Sequence, residues 1–156
     1  MQLTEILTPE RIKIPLSART KQEAIEELLD LLVANGDVRD REPALQAVTE
    51  RERTRSTGIG NGLAVPHGKC SAVDGLVMAM GVAPEGIDFQ SVDGRPVTLV
   101  ALLLAPVDQT GPHIQALARI SRVLTTESVR RRAKTATRPA QLLKIIAEEE
   151  REESVC

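Results

Sequence analysis

Apolar residues recur along this chain with two different periods, and the change from one to the other divides it into thirds. In the first third, Ala24, Ile25, Leu28, Leu29, Leu32 and Val33 fall on one face of a helix. Thr20-Lys21-Gln22-Glu23 reads as a capping box, in which hydroxyl and carboxylate each satisfy a free backbone donor, and Asn35-Gly36 supplies the stop. Ahead of that helix, Arg11–Leu16 alternates polar and apolar residues as a short strand does. A second helix is predicted from about Asp40 to Thr54, with Leu45 and Val48 inward and its charges outward.

The middle third changes period. A glycine-rich loop leads into Leu63–Pro66, and Leu76–Val82 and Val97–Ala105 are strands, with turn signals at Pro84-Glu85-Gly86 and Asp93-Gly94. Strands that are apolar throughout, instead of alternating, imply a sheet covered on both faces. The last third is helical again. Thr110-Gly111-Pro112 opens a helix with proline in its first turn, and His113, Leu117, Ile120 and Leu124 share one face. Another helix begins near Thr137-Arg138-Pro139 and carries Leu142, Leu143 and Ile146. Glu148–Glu153 is almost purely charged and is expected to fray, leaving residues 151–156 as a tail. The fold class predicted is α/β: a single three-layer α/β/α domain over residues 1–150.

Charge and composition remove several functions. A net charge of −2, with 1% aromatic residues and neither Trp nor Tyr, leaves no basic face or stacking platform for general nucleic-acid binding. Arg130-Arg131-Arg132 reads as a solvated helix face or as a small docking patch for an acidic partner. The most apolar run, Val97–Val107, falls well short of the roughly 20 residues that a spanning helix needs. No secretory pattern opens the chain, and Cys70 and Cys156 make no disulfide framework. The expectation is a cytoplasmic protein without a membrane span.

The candidate chemistry lies in Ser56-Thr57-Gly58-Ile59-Gly60-Asn61-Gly62-Leu63-Ala64-Val65-Pro66-His67-Gly68-Lys69, which holds one of only two histidines. The glycines permit positive φ and close approach to a ligand, although such loops are also ordinary turns. A P-loop would need a glycine where Leu63 stands and Ser or Thr where Cys70 stands, and a dinucleotide fingerprint fails at Leu63 too. A G-x-S-x-G elbow is absent. His67 and Cys70, even with His113, lack the second Cys/His pair of a closed zinc site, so neither metal nor cofactor is expected. What remains is histidine as the nucleophile. An imidazole with a pKa near about 6.5 is mostly unprotonated at neutral pH and can attack phosphorus without a general base. The phosphorylated product needs donors and cations nearby. Gly68 and the loop residues Thr57, Asn61 and Gly62 are candidate phosphate ligands, and Arg51 a candidate guanidinium. His113, at a helix start, either donates to the phosphoryl group or simply caps an apolar face.

STGIGNGLAVPHGK resembles the phosphorylation-site signature of enzyme IIA domains of the fructose–mannitol type, from the bacterial phosphotransferase system. Pro106-Val107-Asp108-Gln109-Thr110, followed by His113 and Leu117, is similar to that family's second-histidine segment, and the likeness spans nearly the whole chain. Gly111-Pro112 departs from the more polar residues expected before that histidine. The resemblance implies a mixed sheet between helical layers, and a phosphohistidine formed on the ring nitrogen of His67 remote from the backbone. It implies His113 and Arg51 as active-site partners, and HPr or its nitrogen-branch paralogue as phosphodonor. The unbroken Thr57–Gly62 run is most like the nitrogen-regulatory branch, and neither a IIB cysteine loop nor a membrane domain is seen in the sequence. The expected role is regulatory phosphorelay to a target protein, and the alternative is delivery of phosphate to a separate sugar-specific IIB.

Overall fold

In the computed structural model, which describes residues 2–155, the chain runs β1 (Ile12–Lys13), α1 (Lys21–Ala34), α2 (Arg41–Thr54), β2 (Gly58–Gly60), β3 (Leu63–Ala64), β4 (His67–Lys69), β5 (Val77–Ile87), β6 (Val97–Ala105), α3 (Thr110–Leu124), α4 (Glu127–Lys134) and α5 (Pro139–Val155). The strands join in the order β1-β5-β6-β3-β2, and β4 also pairs with β6. The sheet is mixed. β5 and β6 are antiparallel, whereas β1 lies parallel to β5 and both β3 and β4 lie parallel to β6.

The lack of alternation in β6 has a direct cause. Val100, Leu102 and Leu104 join a core with Ile25, Leu28, Leu32 and Val48 from α1 and α2. Leu99, Ala101 and Leu103 face the other way, into a core with Ile120, Val129 and Leu142 from α3, α4 and α5. Both faces are covered, so both sets of positions are apolar. This is the three-layer α/β/α arrangement. Among the described residues, no helix is long and apolar enough to cross a membrane.

The structure departs from the sequence pattern in three places. The strand expected over Arg11–Leu16 is regular only at Ile12–Lys13, because Pro15 has no amide to donate. Leu16 then resumes pairing by donating its N–H to Val82 O at 2.8 Å. Pro84-Glu85-Gly86 is not a turn between strands but lies within β5. Between the pairs Val82–Leu99 and Ile87–Val97, β5 advances by more residues than β6, and the surplus bulges there with Gly86 at φ +83°.

The third departure is the acidic terminus, where Glu148–Glu153 continues α5 as far as Val155 instead of fraying. Glu150 is only 1% exposed. Its carboxylate accepts the N–H groups of Leu3 (2.6 Å) and Thr4 (3.2 Å) and that of Arg119 Nε (3.0 Å). Arg132 donates to Glu148 at 2.9 Å. Two of the charges expected to fray, Glu148 and Glu150, instead clasp α4 and the N-terminal segment.

Candidate functional site

β4 forms an edge of the sheet, and beyond it a cleft of about 590 Å³ opens between α2 and α3. Arg51 and Thr54 line it from α2, His67 and Lys69 from β4, and Thr110 and His113 from α3. The structure therefore brings the three predicted catalytic residues, His67, His113 and Arg51, around one space.

His67 is half-buried, and its Nδ1 lies 2.7 Å from Val65 O. A carbonyl can only accept, so Nδ1 carries the proton, and in the neutral ring Nε2 keeps its lone pair. Burial lowers the pKa of His67 and the Arg51 charge lowers it further, against the opposing pull of the Val65 hydrogen bond and Glu52. The neutral ring is therefore the resting form at neutral pH.

His113 is buried in the first turn of α3, with its ring edge-on to that of His67 at a centroid distance of 5.5 Å. Burial, with the charges of His67 and Lys69, brings its pKa down to about 4. Its Nδ1 is buried without a hydrogen-bond partner among the described residues. Arg51 sits in the last turn of α2, where Nη1 donates to Arg55 O at 3.0 Å.

Two residues at the site carried no role in the sequence reading. Lys69 lies two residues beyond His67 in β4, hence on the same face, and its Nζ donates to Thr110 Oγ1 at 3.1 Å. Reading this segment as a strand, and not as a loop, would have found it. Glu52 has a clearer signal. Ala44, Val48 and Glu52 recur at four-residue spacing, which puts a carboxylate on the buried face of α2.

Glu52 accepts from Thr57 N at 2.9 Å, from Thr57 Oγ1, and from Lys21 Nζ at 3.3 Å. Thr57 O in turn accepts Val65 N–H at 3.0 Å, and Val65 O accepts His67 Nδ1–H. A buried carboxylate thus fixes, through two backbone links, the ring that bears the lone pair. Glu52→Ala strands the Thr57 amide and hydroxyl, and is expected to cost about 3 kcal/mol of stability. Urea unfolding measures that loss, and imidazole 15N shifts should show His67 no longer held in a single tautomer.

The predicted phosphate ligands do not gather at this cleft. Thr57 is buried and both its donors are committed to Glu52. Asn61 and Gly62 lie in the tight β2–β3 connection, at φ +59° and +77°, and line a different cleft. Gly68 does line the His67 cleft, but its amide is turned away from it. Cys70 N–H bonds Ala105 O, and alternate amides of a strand point the same way, so Gly68 N–H faces β6. Gly68 is glycine for another reason: a Cβ there would meet Ala47 C and Val48 N of α2, each at 3.1 Å. Gly68→Val is expected to destabilise the fold by about 1–3 kcal/mol through overpacking, measurable by thermal unfolding.

Residues 5–149 match the profile of the family described as phosphoenolpyruvate-dependent sugar phosphotransferase system, EIIA 2. The chain belongs to this EIIA family. Relatives of two kinds resemble it. A PTS system fructose-specific EIIA component of Haloferax volcanii is 39% identical over 151 residues, covering 95% of this chain and 98% of that protein. A nitrogen regulatory protein of Bradyrhizobium diazoefficiens is 34% identical over 143 residues, covering 92% of each. The chain also matches the PTS system fructose-specific EIIABC component of Bacillus subtilis at 34% identity over 146 residues, or 94% of this chain, but spans only 23% of that larger protein. Among solved structures, the nitrogen regulatory protein IIA-Ntr of Neisseria meningitidis superimposes with a TM-score of 0.80 at 28% identity, covering 92% of this chain and 98% of that one. Enzyme IIA mannitol of Escherichia coli, solved in complex with phosphorylated enzyme IIB mannitol, gives a TM-score of 0.78 at 30% identity, covering 91% and 97%.

Proposed function

We propose that this EIIA domain is a phosphocarrier in which His67 Nε2 takes a phosphoryl group from the phosphohistidine of an HPr-type donor and passes it on. The observation that carries this reading is the Nδ1–H bond to Val65 O, which leaves Nε2 as the unprotonated ring nitrogen remote from the backbone. As the Nε2–P bond forms, the donor's N–P bond breaks and its imidazole departs with the electron pair. No proton has to leave Nε2. The product carries close to two negative charges, which Arg51 and Lys69 neutralise and to which His113 donates a hydrogen bond. Such a relay operates in the cytoplasm, between a soluble donor and a protein acceptor.

For output, we take the regulatory, nitrogen-type reading first, on the Thr57–Gly62 glycine run and the likeness in fold to IIA-Ntr. Phosphorylation would then alter binding to a target protein by a coupling of about 1–3 kcal/mol. Affinity chromatography on wild-type protein and a His67→Asp mimic, followed by calorimetry on the retained partner, measures it. The 39% identity to a fructose-specific EIIA component favours a second reading, in which phosphate passes to a IIB domain. Rapid transfer from the phosphorylated protein to a sugar-specific IIB, with phosphorylation of the sugar, establishes that reading instead.

A further inference from the structure

The two ends of β6 open onto different clefts. Its C-terminal end, at Leu103–Ala105, holds β4 and the His67 site. Near Thr98, at the other end, lies a second cleft of about 470 Å³ that shares no lining residue with the first. Three separate segments build it: the Asn61-Gly62 connection, the Pro84–Gly86 bulge, and the face of α4 that carries Glu127, Arg130, Arg131 and Lys134. The backbone is irregular at the first two, with positive φ at Asn61, Gly62 and Gly86.

Its charge is out of keeping with the chain. Four cations, Arg95, Arg130, Arg131 and Lys134, line it beside two carboxylates, Glu85 and Glu127, in a protein whose formal net charge is −2. Arg130 and Lys134 stand four residues apart on α4, a like-charge spacing that destabilises a helix. The third arginine of the run, Arg132, is taken up by Glu148 on α5. Among the described residues, neither Arg131 nor Lys134 has an ion-pair partner. Arg130 is anchored by donating its Nε–H to Thr125 O at 3.2 Å, which keeps this cation against the cleft wall. An anion placed here would relieve the repulsion among these side chains.

The neutral groups narrow the ligand. The volume lies within the range of small-molecule sites. The chain's one aromatic residue, Phe89, is fully buried, so the cleft offers a nucleobase no aromatic face on which to stack. Glu85, Glu127, Asn61 and the Thr98 hydroxyl are instead suited to exchanging hydrogen bonds with hydroxyl groups. We propose that this cleft binds a small polyhydroxylated phosphate ester, its phosphate held by Arg131, Lys134 and Arg95 and its hydroxyls by the carboxylates and Asn61. This makes it a second site, for a phosphorylated small metabolite, at the end of the sheet remote from His67.

The test titrates 15N-labelled protein with glycerol 3-phosphate, ribose 5-phosphate and glucose 6-phosphate, with inorganic phosphate, glucose and a hexaglutamate peptide as controls. The expected result is saturable shifts at Asn61, Gly62, Glu85, Gly86, Arg95 and Glu127–Lys134, with His67–Lys69 unmoved. At least one ester should bind about tenfold more tightly than inorganic phosphate or glucose. Arg131→Gln combined with Lys134→Gln should weaken that ester about tenfold or more, and Arg95→Gln, on a different segment, should weaken it in the same sense. Phosphorylation at His67 should keep its wild-type rate in both variants. The proposal is overturned by any of four results: no saturation with any ester, equal affinity for inorganic phosphate, shifts centred on His67, or a response confined to the acidic peptide. Unchanged ester affinity in the variants overturns it as well.

Discussion

His67→Ala is expected to take up no phosphoryl group from phosphorylated HPr-type donor, while folding as the wild type does. The substitution removes the ring nitrogen that the Val65 hydrogen bond leaves with its lone pair on the cleft wall. It removes little of the fold. His67 is half-buried on an edge strand, and its ring bonds to Val65 O, two residues away in its own segment. A stability change within about 1 kcal/mol is therefore expected. The experiment incubates wild-type and variant protein with phosphoenolpyruvate and the donor enzymes, then measures acid-labile phosphate by mass spectrometry beside a thermal melt. His113 is the poorer acceptor, because the residue is only 6% exposed whereas His67 is half-buried. Phosphate retained by the folded Ala variant would place the acceptor elsewhere and remove the basis of the proposed mechanism.

The parts of this molecule that the sequence made legible are those governed by one local rule. The apolar stripe of α1 and the unbroken apolar run of β6 are each a period that burial alone imposes, and both elements stand where the pattern puts them. The capping hydroxyl of Thr20 does accept Glu23 N–H, at 3.2 Å, although the Glu23 carboxylate reaches the amide of Arg19 and not that of Thr20. Of the candidate site, the three side chains that the fold brings to one cleft, His67, His113 and Arg51, were legible, and its scaffold was not. Thr57 and Gly68 looked like phosphate ligands because their residue types suit that role. Yet the partners that engage them, Glu52 and the backbone of α2, become neighbours only in three dimensions. The same holds for the acidic terminus. A run of glutamates has no apolar period, so its docking on Leu3, Thr4 and Arg119 through Glu150 is invisible until the N-terminal segment is placed against α5.

His113→Ala is expected to slow phosphoryl transfer by roughly 10²–10³-fold, the usual effect of losing one aligned donor at a developing charge. The neutral ring bears one N–H, and its Nδ1 is buried without a partner among the described residues. A phosphoryl oxygen arriving at His67, whose ring centroid is 5.5 Å away, supplies an acceptor that the resting site lacks. The loss should fall on the rate at saturating donor and not on donor affinity, since the bond strengthens as charge moves onto the phosphoryl oxygens. His113→Gln, which keeps an N–H donor, should recover part of the rate. Transfer at the wild-type rate in His113→Ala would reduce this residue to a structural filler.

The acid dependence of stability gives an independent readout. The folded-state pKa of His113, about 4, lies below the ordinary value of 6.5, so between these values the unfolded chain binds more protons than the folded one. Stability is then fully present above about pH 6.5 and falls as the pH drops toward 4, by up to about 3 kcal/mol from this residue. His67, lowered in the same direction, adds a loss of the same sign. In His113→Gln the larger part of this loss should vanish, because nothing buried at that position remains to be protonated. Urea unfolding of both proteins at intervals from pH 7 to 4 measures the difference. Parallel curves for the two proteins would mean that His113 keeps an ordinary pKa, and that the ring facing His67 is not held neutral by its burial.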